Sequence, residues 1–129
     1  MLRIIGLPAG RYMLSIDGEK AGTATAEELS SGYNMALLGE GPIARQAKAV
    51  QEAVFAKNRY YHDQIFRGVV LSQANVPEWL GIKMDGAAIE ARRKAVIEDR
   101  AAKMPELDAA VRRALKVRPH TVEIAPVGN

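Results

Sequence analysis

The sequence predicts an α+β fold. It would combine a small antiparallel or mixed sheet, built from an N-terminal hairpin and a C-terminal strand, with a long antiparallel helix hairpin. Three observations predict it. Apolar residues alternate with others over the first 24 residues, around two turn signals. From Pro42 onward they recur at three-, four- and seven-residue intervals instead. Past Arg118-Pro119, alternation returns with Val122 and Ile124 between Thr121 and Glu123.

The hairpin occupies residues 1–24. Leu2 and Ile4 flank Arg3, and Leu7-Pro8-Ala9-Gly10 is a turn. Tyr12, Leu14 and Ile16 alternate with Met13 and Ser15. Asp17-Gly18 is a tight-turn signal, because the favoured two-residue hairpin turn needs φ above zero at both positions. The returning strand, 19–24, is poor in apolar mass and suits a sheet edge. Thr25-Ala26-Glu27-Glu28 is a capping-box pattern that opens a short helix over 26–31. Tyr33 to Leu38 crosses as a loop or extended segment, and Gly39-Glu40-Gly41 lets it turn.

Pro42 suits the first turn of a long helix, 42–68. Ile43, Ala47, Val50, Val54, Tyr61 and Ile65 form its apolar stripe. At roughly 1.5 Å per residue such a helix is about 35–40 Å long, longer than a small sheet is wide. Residues 72–86 read as an ordered loop, with Trp79 anchoring it into the core. Asp85 caps a second helix, 87–103. Met104-Pro105 interrupts it, and a further helix runs over 105–116. A final strand, 120–125, closes the sheet beside the first or second strand. No repeat or linker divides the chain, so 1–129 reads as a single α+β domain.

Composition narrows the function classes. The chain has 129 residues, 48% hydrophobic and 26% charged, which suffices for a core and argues against global disorder. It has no cysteine, which removes disulfides, thiol catalysis and cysteine metal sites together. Two histidines, His62 and His120, make a thin supply for a metal centre, so no metal and no cofactor are expected. No apolar run reaches the roughly 18–20 residues of a membrane span. No signal peptide is visible, which leaves localisation open. The net charge of +3 comes mainly from Arg92-Arg93-Lys94 and from Arg112-Arg113 to Arg118. Without interleaved aromatics, these patches argue against nucleic acid as a partner.

No constellation supplies a complete catalytic site. None of Ser15, Ser30, Ser31 and Ser72 lies in a nucleophile elbow. Gly39-Glu40-Gly41-Pro42 lacks the lysine and hydroxyl of a nucleotide loop, and Glu40 has the wrong sign for an anion. His120 reads as a strand-end side chain. His62-Asp63 is the nearest approach to an acid–base pair, but neighbours on an α-helix diverge by about 100° and would not support each other. The polar-aromatic run Asn58-Arg59-Tyr60-Tyr61-His62-Asp63-Gln64 is better suited to an interdomain or partner contact.

The run from Gly6 to Gly18, GLPAGRYMLSIDG, resembles the region after the catalytic histidine in a bacterial subgroup of SGNH/GDSL-type hydrolases. So do Thr25 to Ala36 (TAEELSSGYNMA), the Pro42 helix with Gln46-Ala47, and the ending Arg118-Pro119-His120-Thr121-Val122-Glu123-Ile124. The likeness covers nearly the whole chain and rests on turn, cap and packing residues. Those enzymes cleave esters, often acyl esters of carbohydrates or lipids. Their Gly-Asp-Ser block is missing here. The residue three after each aspartate is Lys20, Phe66, Ala88, Ala102 or Val111, never the histidine of their Asp-x-x-His. No catalytic residue carries over.

The resemblance implies an accessory, non-catalytic C-terminal domain of an SGNH/GDSL-type ester hydrolase, inactive alone, whose partner is the catalytic domain. Tyr33, Asn34, Tyr60, Tyr61, His62 and Asp63 are its candidate interdomain or cleft contacts. Two alternatives use the same residues. One is an independent homodimerising interaction module. The other is a small enzyme with a non-standard site near His62.

Overall fold

Strand β1 (Arg11–Ile16) carries out the alternation written into it. Tyr12, Leu14 and Ile16 are buried, and the residues between them are not. Asp17 and Gly18 take φ of 53° and 78°, as the tight turn requires. The chain returns as β2 (Glu19–Thr25). A bulge lies opposite Leu14 and Ser15, which pair with Gly22 and Lys20, so Ala21 is the extra residue. Ala21 and Ala24 both face the core. The third strand, β3 (Val122–Pro126), runs antiparallel beside β1, and the sheet order is β2-β1-β3. The returning strand is therefore an edge strand, and the closing strand lies beside the first.

These coordinates come from a computed structural model that describes residues 1–72 and 77–128. The fold is α+β: a three-stranded antiparallel sheet with two long helical stretches. By its contacts the chain gathers into two compact units, Met1–Val50 with Leu115–Asn129, and Gln51–Ala114.

In the first unit, α1 (Ala26–Ser31) begins with the capping box. Thr25 Oγ1 accepts from the Glu28 amide at 3.2 Å, and the Glu28 carboxylate accepts from the Thr25 amide at 2.7 Å. Leu29 is thereby carried into a core with Tyr12, Leu14, Ile16, Ala21, Ala24 and Leu38. Thr25→Ala removes the side-chain half of the box. Its expected cost is about 1 kcal/mol, read as a lowered thermal midpoint with unchanged strand content.

The segment before β1 does not extend the hairpin to residue 1. Leu2 only forms an isolated bridge with Tyr33, with both amide bonds at 2.8 Å, and the Ile4 amide donates to the Leu29 carbonyl. Residues 33–38 are not extended throughout. Asn34 caps a 3-10 turn at Met35–Leu37, and Leu38 then inserts over Gly22. Gly41 starts α2 (Gly41–Tyr60) at φ +85°, where an added Cβ would sit 3.1 Å from the Ala21 Cβ. Glycine is needed there on both counts.

In the second unit, the helix expected over 42–68 changes character. Beyond α2 it continues as a π-helix over Tyr61–Val70. Each residue then advances less around the axis, so the apolar stripe shifts. Ile65 and Val69 are buried, whereas Tyr61, expected on the stripe, is 49% exposed. Helices α3 (Gly86–Ala101) and α4 (Met104–Ala114) follow, with Asp85 capping α3 through the amides of Ala87 and Ala88.

The π-helical segment and α3–α4 run antiparallel, as the order of their contacts requires. Lys57 pairs with Asp108, Tyr60 Oη donates to the Arg100 carbonyl, and Arg93 donates to the Ser72 carbonyl. Of the expected loop 72–86, residues 73–76 lie outside the described residues, and Glu78–Leu80 forms a 3-10 turn. Trp79 is not a core anchor, because it is 82% exposed. Among the described residues of this unit, Ile65 and Val69 of the π-helix are the buried ones, too few to enclose an indole.

Candidate functional site

The residues singled out in the sequence fall into both units. Tyr33 and Asn34 belong to the first. Tyr33 is half-buried against the core and holds Leu2 through its backbone. The Asn34 side chain accepts from the Ala36 amide at 3.0 Å. Both are committed to local structure.

Tyr60, Tyr61, His62 and Asp63 belong to the second unit, where α-helix passes into π-helix. Tyr60 is fastened through its hydroxyl to the Arg100 carbonyl at 3.0 Å, and the Lys103 ammonium lies 5.3 Å from the centre of its ring. Tyr61, His62 and Asp63 are exposed. His62 Nδ1 and Asp63 Oδ1 are 2.9 Å apart, which corrects the expectation that these neighbours diverge. The divergence argument assumes α-helical spacing, and the π-helical backbone brings adjacent side chains closer around the axis. A shallow groove of about 580 Å³ is lined by Phe55, Asn58, Arg59, His62 and Asp63. These positions share one helix face, with Phe55 58% exposed and the His62 ring centre 6.1 Å from that of Phe66.

A second histidine–carboxylate pair escaped the sequence reading. His120 Nδ1 lies 2.7 Å from Asp17 Oδ2, and the Thr121 amide donates to Asp17 Oδ1 at 2.9 Å. The signal was available. If β3 is antiparallel to β1 with Ile16 opposite Val122, the residue after β1 must meet the residues just before β3. The His120 hydrogen bond, then that of Thr121, holds the Asp17 carboxyl below its usual range.

Hydrolytic chemistry finds no support in the serine side chains. The Ser30 and Ser31 hydroxyls donate to carbonyls of α1, and Ser72 Oγ donates to the Val69 carbonyl at 2.7 Å. Among the described residues no serine hydroxyl is hydrogen-bonded to a histidine, and no group of three potential ligands could hold a metal ion. No helix of the described residues is long and apolar enough to cross a membrane.

Neither a family model nor a curated protein sequence matches the chain. Among solved structures it is similar to a gut microbial diltiazem-metabolizing enzyme, with 23% identity and a TM-score of 0.50. The match covers 95% of this chain and 32% of that one, so this chain spans about a third of the enzyme's length. At this identity the likeness concerns the fold.

Four carboxylates have their acidity raised by named partners. Asp17 is held down by His120 and Thr121, Glu19 by Arg45, Glu28 by the Thr25 amide, and Asp108 by Lys57. A depressed carboxyl contributes stability above its unfolded pKa, and that stability is lost as pH falls through the folded one. The usual values are 3.8 for Asp and 4.5 for Glu. The carboxylates' contribution to the thermal midpoint should therefore be level above about pH 5 and fall steadily below pH 4. Thermal unfolding monitored by circular dichroism across that range checks this, and Asp17→Asn should make the fall shallower.

Proposed function

We propose that this chain is an accessory, non-catalytic C-terminal domain of an SGNH/GDSL-type ester hydrolase, where it stabilises or completes the catalytic domain. The observation that carries the reading is the extent of the fold match. Nearly all of this chain corresponds to only a third of a longer enzyme. A fold that occurs as one part of an enzyme chain suits a supporting role. The residues behind the sequence resemblance also have a shared structural use. Tyr12, Leu14 and Ile16 from one motif, and Leu29 and Tyr33 from the other, meet in or against one core.

The side chains support a supporting role over a catalytic one. Ser30, Ser31 and Ser72 are engaged with backbone carbonyls, and both histidines are engaged with aspartates. The groove at Phe55, Asn58, Arg59, His62 and Asp63, with Tyr61 beside it in sequence, offers exposed aromatic area and polar groups together. Such a mixture suits a partner surface. This groove is the proposed contact with the catalytic domain.

The chemical test is a fluorophosphonate serine probe on the purified chain, read by intact mass, beside p-nitrophenyl acetate turnover. No adduct and no turnover are expected. A stoichiometric adduct with turnover abolished by one serine substitution would contradict a non-catalytic role. Turnover abolished by His62→Ala, without an adduct, would favour the small-enzyme reading instead.

A further inference from the structure

We infer that Asp17 and His120 form a pH-sensitive latch that holds the closing strand on the sheet. The latch sits where the first and last strands of the first unit meet. Asp17 accepts from two donors that arrive together from the far end of the chain. His120 Nδ1 is 2.7 Å from one carboxylate oxygen, and the Thr121 amide is 2.9 Å from the other. The Asp17 amide in turn donates to the Thr121 carbonyl at 2.9 Å. These three bonds bridge more than 100 residues of sequence and lead directly into β3.

The strand needs such a latch. No residue of β3 is fully buried, and only Ile124 reaches the core. Its pairing partner among the named strands is β1 alone. An edge strand with little buried apolar area opens readily, so a terminal side-chain clasp carries much of its local stability. Asp17 sits in the left-handed turn at φ 53°, and its carboxylate is oriented by the two bonds it accepts. His120 has only a fifth of its side-chain surface exposed, so the pair is partly shielded from water.

The chemistry makes the clasp responsive to pH. Imidazole is the side chain whose charge changes between about pH 5 and 8. As a cation it gives Asp17 a charge-assisted hydrogen bond, roughly twice as strong as a neutral one. The neighbouring carboxylate is already paired. Glu19, next to Asp17 across the turn, is engaged by the Arg45 guanidinium of α2 at 2.6 and 2.8 Å. The latch is tight while His120 is charged and Asp17 ionised. It loosens as His120 loses its proton, and again in strong acid as Asp17 gains one.

Amide hydrogen exchange on the intact chain tests this, with protection factors corrected for intrinsic exchange. From pH 5.5 to pH 8, protection of Thr121 and of the β3 amides should fall about three- to ten-fold. The fall should follow the ring resonances of His120, while the β1–β2 amides stay level. His120→Gln keeps a side-chain donor but cannot titrate, and should remove the pH step. Should that variant fail to fold, the coincidence of β3 protection with the His120 titration in the unaltered chain decides the matter. Level β3 protection across this range would overturn the latch. So would a step that persists in His120→Gln, or one that follows His62 instead.

Discussion

Leu14→Ala should unfold the first unit under conditions where the unaltered chain is folded. Leu14 has no exposed surface, and it stands at the centre of seven buried residues. Three of those seven, Tyr12, Leu14 and Ile16, come from β1, so the core is one strand's inner face covered by Leu29, Leu38 and two alanines. Truncating a fully buried leucine costs about 2–5 kcal/mol through lost transfer energy and the cavity left behind. Whole domains are commonly stable by only about 5–15 kcal/mol. A core this small has little surplus, and Gly22 opposite Leu14 has no side chain with which to fill the hole. The thermal midpoint should drop by more than about 10 °C. Lys48→Ala, on an exposed α2 position, should leave it within error. Circular dichroism melts of the three proteins make the comparison, and a Leu14→Ala midpoint within 3 °C of the parent would mean this core is misplaced.

Gly68→Ala should disrupt the second unit although Gly68 is itself exposed. A Cβ there would lie 2.7 Å from the Asp63 carbonyl oxygen and 2.9 Å from Arg100 Nη1. The first is backbone and cannot swing away. The second belongs to a guanidinium already donating to the Gln64 carbonyl. Either the π-helical turn over Asp63–Gly68 must relax, or Arg100 must leave. Overpacking of this kind costs about 1–3 kcal/mol. That outweighs the gain of up to about 1 kcal/mol that alanine normally brings to a helix. The sign is thus opposite to helix propensity. Gly86→Ala is the matched control, because nothing lies within 4 Å of its added Cβ. Urea unfolding should place Gly68→Ala below the parent and Gly86→Ala at or above it.

Local signals were the legible part of this fold. The capping box at Thr25–Glu28, the Asp17-Gly18 turn, the Asp85 cap and the inward set Tyr12, Leu14 and Ile16 all depend on residues close in sequence. Position in the sheet was legible where composition decided it, as for the edge strand β2, which is poor in apolar mass. The π-helix was not legible, because its apolar spacing, Ile65 to Val69, is also an α-helical spacing. That one change moved Tyr61 outward and brought His62 and Asp63 into contact. Trp79 was misjudged for a different reason. A lone tryptophan in an apolar loop usually finds a core, and here the surrounding unit buries little. The Asp17–His120 pair needed a tertiary fact, the β1–β3 register, before its residues could be seen as neighbours.

The candidate contact residues divide by what they do in the fold. Tyr33 and Asn34 close a turn, and Tyr60 is bonded to Arg100 and covered by Lys103. Their substitution would disturb structure and association together. His62 is exposed and, among the described residues, hydrogen-bonded to its neighbour Asp63 alone, which makes it the cleaner probe of a partner surface.

The most direct measurement of the proposed accessory-domain account is association with an SGNH-type catalytic domain. Purified separately and mixed, the two should form a complex by analytical ultracentrifugation. The thermal midpoint of the catalytic region should rise, and its p-nitrophenyl acetate turnover should hold or increase. His62→Ala should weaken the complex while the chain keeps its helicity. Separate sedimentation, an unchanged midpoint and self-association of this chain in place of a complex would contradict the account and favour a homodimerising module.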